Sequence, residues 1–143
     1  MLVPGVELFE GKLTQSVIGA FYEGYNNLGF GFLERFYVAA LQRELLRRGH
    51  RVAREVSVHV LYKGEKLGSQ RLDLIVDERL VIETKAAWEV HKSATRQLYN
   101  YLKATNLELG LVLHFGPDPK FYRVICRNQR KDPEHPVPSG ASV

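Results

Sequence analysis

The sequence predicts an α/β domain: a mixed β-sheet with helices packed on its faces. Three observations carry this. Apolar residues recur at helical spacing in the first third of the chain, the period then shortens to that of strands, and one further helical stretch separates the third strand from the fourth. A helix in that place acts as a crossover between parallel strands, whereas the three strands before it can form a meander. The order read from the residues is α-α-β-β-β-α-β-β.

The first dozen residues read as a lead-in arm or edge strand. Thr14 is the expected N-cap of a first helix over about Gln15 to Asn27, with Val17, Ile18, Phe21 and Tyr25 on its apolar side. Asn27-Leu28-Gly29 breaks it. A second helix spans about Phe32 to Arg48, with Leu33, Phe36, Tyr37, Ala40, Leu41 and Leu45 at helical spacing and Gly49 as its stop. Val52, Val56, Val58, Val60 and Tyr62 mark a strand that ends at the turn Lys63-Gly64-Glu65-Lys66. Strands over Gln70–Val76 and Leu80–Lys85 follow, joined by Asp77-Glu78-Arg79. A third helix covers about Lys92 to Thr105, with Leu98, Tyr101 and Leu102 on one face. Leu109–Phe115 is nearly all apolar, as a buried central strand is, and Phe121–Cys126 is the last strand.

At 143 residues, 45% hydrophobic and 25% charged, the chain fits one domain, assigned to residues 1–126. The polar, proline-bearing stretch 127–143 reads as a poorly ordered tail. One cysteine, Cys126, excludes an internal disulfide and a thiolate zinc cage. No signal peptide is evident, and no apolar run approaches the ~20 residues that cross a bilayer, so the cytoplasm is the expected location. A net charge of +4 suits a polyanionic partner such as nucleic acid, and equally an ordinary solvated surface.

The chemistry concentrates in Arg71-Leu-Asp73-Leu-Ile-Val and Leu80-Val-Ile-Glu83-Thr-Lys85-Ala. A hairpin turn centred on Glu78 sets Asp73 across from Glu83. Strand alternation brings Glu83 and Lys85 out on one face, and Asp73 joins them from the neighbouring strand. Two carboxylates and an ammonium among apolar strands carry a desolvation cost of several kcal/mol. A hard cation such as Mg²⁺ offsets it, and Lys85 beside the metal can serve the attacking water. The competing reading is an ion pair that fixes hairpin register.

Other candidates are weaker alone. Glu34 lies on the line 34-37-41-45, where a carboxylate can look into the domain, or can sit at the boundary and pair with Arg35. Gln97 and Tyr101, at i and i+4, share a face of the third helix and can orient a substrate or water, or can be a surface amide and a core phenol. His59, His91 and His114 lack metal spacing, and His114 reads as a satisfied core histidine. Trp88 reads as a packing residue rather than a base-stacking platform. Gly29 and Gly31 shape the entry to the second helix rather than a nucleotide loop.

The run Gly29-Phe-Gly31-Phe-Leu-Glu34-Arg-Phe-Tyr37 resembles the naming motif of the bacterial GxxExxY protein family, part of the PD-(D/E)xK nuclease superfamily. The similarity extends through Leu61–Gly68, Asp73-Leu-Ile-Val, Val81-Ile-Glu83-Thr-Lys85-Ala, Gln97–Thr105 and Gly110–Gly116. The resemblance implies a restriction-endonuclease-like αβββαβ core preceded by an N-terminal helix, with Glu34, Asp73 and Glu83 as metal carboxylates and Lys85 as the catalytic lysine. Gln97 and Tyr101 look like a Q-x-x-x-Y signature of related nucleases. Thr84 stands where a hydrophobic residue is more usual, His91 lies six positions ahead of Gln97 rather than just before it, and His114 replaces a common Asn. The function this implies is a Mg²⁺- or Mn²⁺-dependent nuclease acting on DNA, in repair or defence. The rival is a catalytically silent nucleic-acid or protein-binding module on the same fold. A homodimer or a protein partner fits so short a chain.

Overall fold

The computed structural model describes residues 10–131. Its elements run α1 (Gly11–Leu28), α2 (Glu34–Arg47), β1 (Val52–Tyr62), β2 (Glu65–Val76), β3 (Leu80–Lys85), α3 (Ser93–Lys103), β4 (Leu109–Phe115) and β5 (Pro119–Ile125), then a short 3₁₀ turn, Asn128–Arg130. The five strands form one sheet in chain order. β3 and β4 run parallel, and the other neighbours run antiparallel, so α3 is the crossover. This is the mixed, helix-flanked sheet of a restriction-endonuclease-like fold, as the sequence predicts.

Alternation along the strands divides the apolar residues between two cores. On one face, Val17 and Phe21 of α1 and Tyr37, Leu41 and Leu45 of α2 pack with Leu74, Ile82, Leu111 and Phe115. On the other, Leu98 and Leu102 of α3 pack with Val58, Ile75, Val81, Val112 and Val124. Close approach of α3 needs Gly110 on β4, where an added Cβ would lie 2.7 Å from Leu98 Cδ2. Every residue of β4 is buried, which is why it reads as an unbroken apolar run.

Several boundaries differ from those expected. α1 starts one turn earlier, so Thr14 is not its N-cap: it lies inside the helix, buried, and the N-cap position is Glu10. α2 starts at Glu34 rather than Phe32, because Gly29 and Gly31, at φ 72° and 113°, turn the chain before it. The β1–β2 turn shrinks to Lys63-Gly64, both at positive φ as a two-residue hairpin requires, so β2 begins at Glu65. Before Asp73, β2 pairs with β1 alone and the two extend as a ribbon. The polar stretch from Arg127 begins by bonding back to the domain: Asn128 N–H donates to Glu108, and Lys131 Nζ donates to the carbonyls of Thr105 and Leu107. Residues 1–9, with most of the expected lead-in arm, and 132–143, with the rest of the expected tail, lie outside the described residues. Among the described residues no helix is long and apolar enough to cross a membrane.

Candidate metal and active site

The β2–β3 ladder runs Val76↔Leu80, Ile75↔Val81, Leu74↔Ile82, and then stops. The next rung would be Asp73 and Glu83. There, side chains replace backbone pairing: Thr84 N–H donates to Asp73 Oδ2 at 2.8 Å, and Asp73 N–H donates to Glu83 Oε1 at 3.3 Å. Amide and carbonyl of one strand residue point to the same edge, so the Thr84 carbonyl faces the gap opened between the strands.

The distortion continues on the other side of β2. The β1–β2 pairing passes from Arg54↔Leu74 to Val56↔Leu72, and the skipped Glu55 sits at φ 56°. Leu72 and Leu74, two residues apart, belong to opposite cores. Simple alternation therefore holds along β3, where Glu83 and Lys85 share a face, and fails on β2 at Asp73, where the strand turns over.

Glu34 arrives from α2. Its line through Tyr37, Leu41 and Leu45 is fully buried below it, and Glu34, the first residue of the helix, has its carboxylate at the positive end of the dipole. Tyr37 fixes this start. Its hydroxyl donates to Gly29 O at 2.6 Å and accepts from Phe32 N–H at 3.2 Å, while its ring stacks on Phe115 with centroids 4.1 Å apart. The glycine-to-tyrosine spacing of the motif is thus a clasp that fixes Glu34 at the start of α2, where the Ala86 N–H just past β3 acts to lower its carboxyl. Arg35 does not pair with Glu34 in an ion bridge; its guanidinium lies over the Phe36 ring.

The electrostatics of this group are those of too few cations. Burial pushes the Glu83 carboxyl up to about 8, with repulsion from Asp73 and Glu34 adding to it and the Asp73 N–H and Lys85 opposing. Burial also raises Asp73, against the Thr84 N–H, Lys85 and Arg54. Glu34 is raised by partial burial and by Asp73; it keeps a solvent-exposed edge, so water screens its shift most. Tyr101, from α3, is raised by burial and then by the charge of Glu83. Glu34, Asp73, Glu83 and Lys85 therefore feel one another, and Tyr101 joins through Glu83, from four separate elements.

Other expected residues stand apart. Gln97 is exposed, one turn before Tyr101. His91 accepts through Nδ1 from Ser93 N–H and Oγ, and so organises the start of α3. His59 bonds Ser69 on the ribbon. His114 is buried as expected but only half satisfied: Nε2–H donates to Ala87 O at 2.6 Å, while Nδ1 has no partner. The reading of Trp88 as a packing residue is wrong. Its ring is 74% exposed and meets the edge of Phe30, because the loop after Lys85 leaves the sheet at the mouth of the site. Sequence reasoning also missed Arg54, whose charge reaches Asp73, and the clasp role of Tyr37, whose only signal was its fixed spacing from Gly29 and Glu34.

Among the described residues, no three His, Cys, Asp or Glu side chains stand ready-made as a metal cage. The chemistry of the donors nevertheless fits a hard divalent cation: carboxylates raised chiefly by burial, a carbonyl at an opened edge, and oxygen throughout. The fold and this arrangement define the chain as a nuclease-type α/β domain. The sequence pattern of the PD-(D/E)XK nuclease superfamily matches residues 11–124, and the chain belongs to that superfamily. Among solved structures it is similar to the protein described as "Crystal structure of SSO0001", with a TM-score of 0.51 and 21% identity over 82% of this chain, a likeness of fold. The chain spans 59% of that protein's length. No curated protein matches it.

Proposed function

We propose that this protein is a metal-dependent nuclease that hydrolyses phosphodiester bonds, with DNA as its substrate, in the manner of the GxxExxY members of its superfamily. The observation that carries the reading is the opened rung at Asp73 and Glu83, where two crowded carboxylates and one strand edge converge beside Lys85. A structural ion pair would leave the carboxylates well satisfied and lowered; here they are raised.

Asp73, Glu83 and Glu34, with the Thr84 carbonyl, would hold Mg²⁺ or Mn²⁺. When bound, such an ion supplies Lewis-acid charge at the phosphoryl oxygens and lowers the pKa of water. Lys85 extends from the same face of β3 as Glu83, so its ammonium positions the attacking water and offsets charge that builds on the phosphoryl group. The water oxygen bonds to phosphorus as the bond to the leaving oxygen breaks, with no covalent enzyme intermediate. Tyr101, which feels the charge of Glu83, would orient the substrate strand, with Gln97 one turn before it. The net charge of +4 supports a polyanionic substrate, and the lone, buried Cys126 suits the reducing cytoplasm.

The test is cleavage of single-stranded, duplex and branched DNA, and of RNA, with Mg²⁺ or Mn²⁺ and with chelator. Lys85→Ala is expected to lower the rate by about 10²-fold or more, as loss of a charge that stabilises the transition state does. No cleavage of any substrate, or undiminished cleavage by Lys85→Ala, sinks the proposal.

A further inference from the structure

We infer that the strand to be cut enters this site unpaired, its bases stacking on an aromatic rim centred on Trp88. The inference rests on the nuclease reading and adds the substrate form. Trp88 is 74% exposed, Phe32 49%, Leu33 61% and Phe36 46%. Trp88 meets Phe30, which leads in the chain to the exposed Phe32–Phe36 segment, and exposed apolar side chains so linked mark a contact surface. It also adjoins the site. Leu33 and Arg35 flank Glu34 in the chain, and Trp88 lies two residues beyond Ala86, whose N–H acts on the Glu34 carboxyl.

The rim is held in place. Ala87 O accepts from His114 Nε2–H at 2.6 Å, so the backbone carrying Trp88 is anchored at the residue before it. Phe30 supports the indole edge-on, with centroids 4.9 Å apart and planes at 75°. Phe32 meets Phe36 at 6.2 Å, and the Arg35 guanidinium lies 5.0 Å over the Phe36 ring. An exposed indole on the Lys85–Trp88 side and a cation on the α2 side match a nucleotide, which offers a flat π-face and a phosphate together. Bases inside a duplex have their faces covered by their neighbours and cannot use it; bases of a single strand or frayed end can.

Trp88 is the chain's one tryptophan, so its emission reports the rim directly. The Lys85→Ala protein, in chelator, is titrated with a thymidine oligonucleotide of about twelve residues and with a duplex of the same length. The strand is expected to quench Trp88 and to bind about tenfold more tightly than the duplex. In the same background, with binding followed by anisotropy of a labelled strand, Trp88→Ala weakens it about tenfold and Trp88→Phe restores most of the loss. Mn²⁺ affinity, measured by calorimetry, stays unchanged in both variants, which separates stacking from damage to the carboxylates. Equal binding of strand and duplex, unchanged emission, or indifference to Trp88→Ala overturns the inference, as does quenching produced only by association of two copies of the chain. Because this assay needs no turnover, its failure is distinct from failure of the nuclease reading: duplex cleavage by wild type that Trp88→Ala leaves untouched would remove the rim alone.

Discussion

The β2–β3 hairpin carries two aspartates four residues apart, and they live in opposite electrostatic worlds. At the turn, Asp77 Oδ2 accepts from His50 Nδ1 at 2.7 Å and Oδ1 accepts from Arg51 N–H at 2.8 Å, while His50 Nε2 meets Ser16 Oγ at 2.7 Å. Burial pushes the Asp77 carboxyl up, but these bonds and the charges of His50 and Arg79 hold it below its ordinary value. At the open end, Asp73 shares its gap with Glu83 and Glu34, and all three are raised. One hairpin thus has a carboxylate that ties α1, the α2–β1 turn and the β2–β3 turn together, and another whose burial the Thr84 N–H, Lys85 and Arg54 do not offset. The difference separates a structural acid from a functional one: donors outweigh burial at the first, and burial outweighs donors at the second.

The sharpest way to break this comparison is Glu83→Gln, which should stabilise the metal-free protein by about 2 kcal/mol at neutral pH. The sign follows from the direction of the shift. A carboxyl raised from 4.5 to about 8 on folding favours the folded state fully below pH 4.5, and that advantage is lost as pH rises toward 8. Gln keeps the oxygen that accepts from Asp73 N–H and removes the titration. Chemical denaturation with chelator should show variant and wild type converging near pH 4 and parting by pH 8. Addition of Mn²⁺ should raise the melting temperature of the wild type and leave the variant nearly unmoved. A destabilised Glu83→Gln at pH 8 would mean that the charge is a satisfied structural one.

Asp77→Asn should do the reverse, destabilising by about 1–2 kcal/mol at pH 7, since it leaves His50 without its charged acceptor. Asp77 is lowered on folding, so its contribution is present above pH 3.8 and is lost as pH falls through the folded value. The gap between variant and wild type should therefore close below about pH 4 as the native carboxyl protonates. Urea unfolding across that range measures it, and a gap that persists in acid would show that shape rather than charge is at stake.

These two acids also show how far the sequence could be read. Period and spacing sufficed for eight elements in the right order, for the crossover at α3 and for the register that sets Asp73 opposite Glu83, because each depends on near neighbours along the chain. What the pattern did not contain were the events that need a third element. The turnover of β2 at Asp73 accompanies the skipped Glu55 of β1; the backbone before Trp88 is held by His114 of β4; and Asp77, one polar residue of a tight link, gains its role only when His50 and Ser16 fold against it. Glu34 fell between the two cases: its place on the 34-37-41-45 line was visible, but whether it faced Arg35 or the carboxylates was not.

The smallest effect sharpens the comparison most, because it touches neither acid. Tyr37→Phe removes one hydroxyl that accepts from Phe32 N–H and donates to Gly29 O, and leaves the ring on Phe115. The loss should be about 1 kcal/mol, that of a hydrogen-bonded hydroxyl in a part-buried place. If the clasp presents Glu34 to the carboxylate group, Mn²⁺ affinity should fall several-fold as well, while the pH range in which Asp77 contributes to stability stays where it was. If stability falls and Mn²⁺ affinity does not, Glu34 stands outside the cation's reach, and the site reduces to the two acids and the carbonyl at the opened rung between β2 and β3.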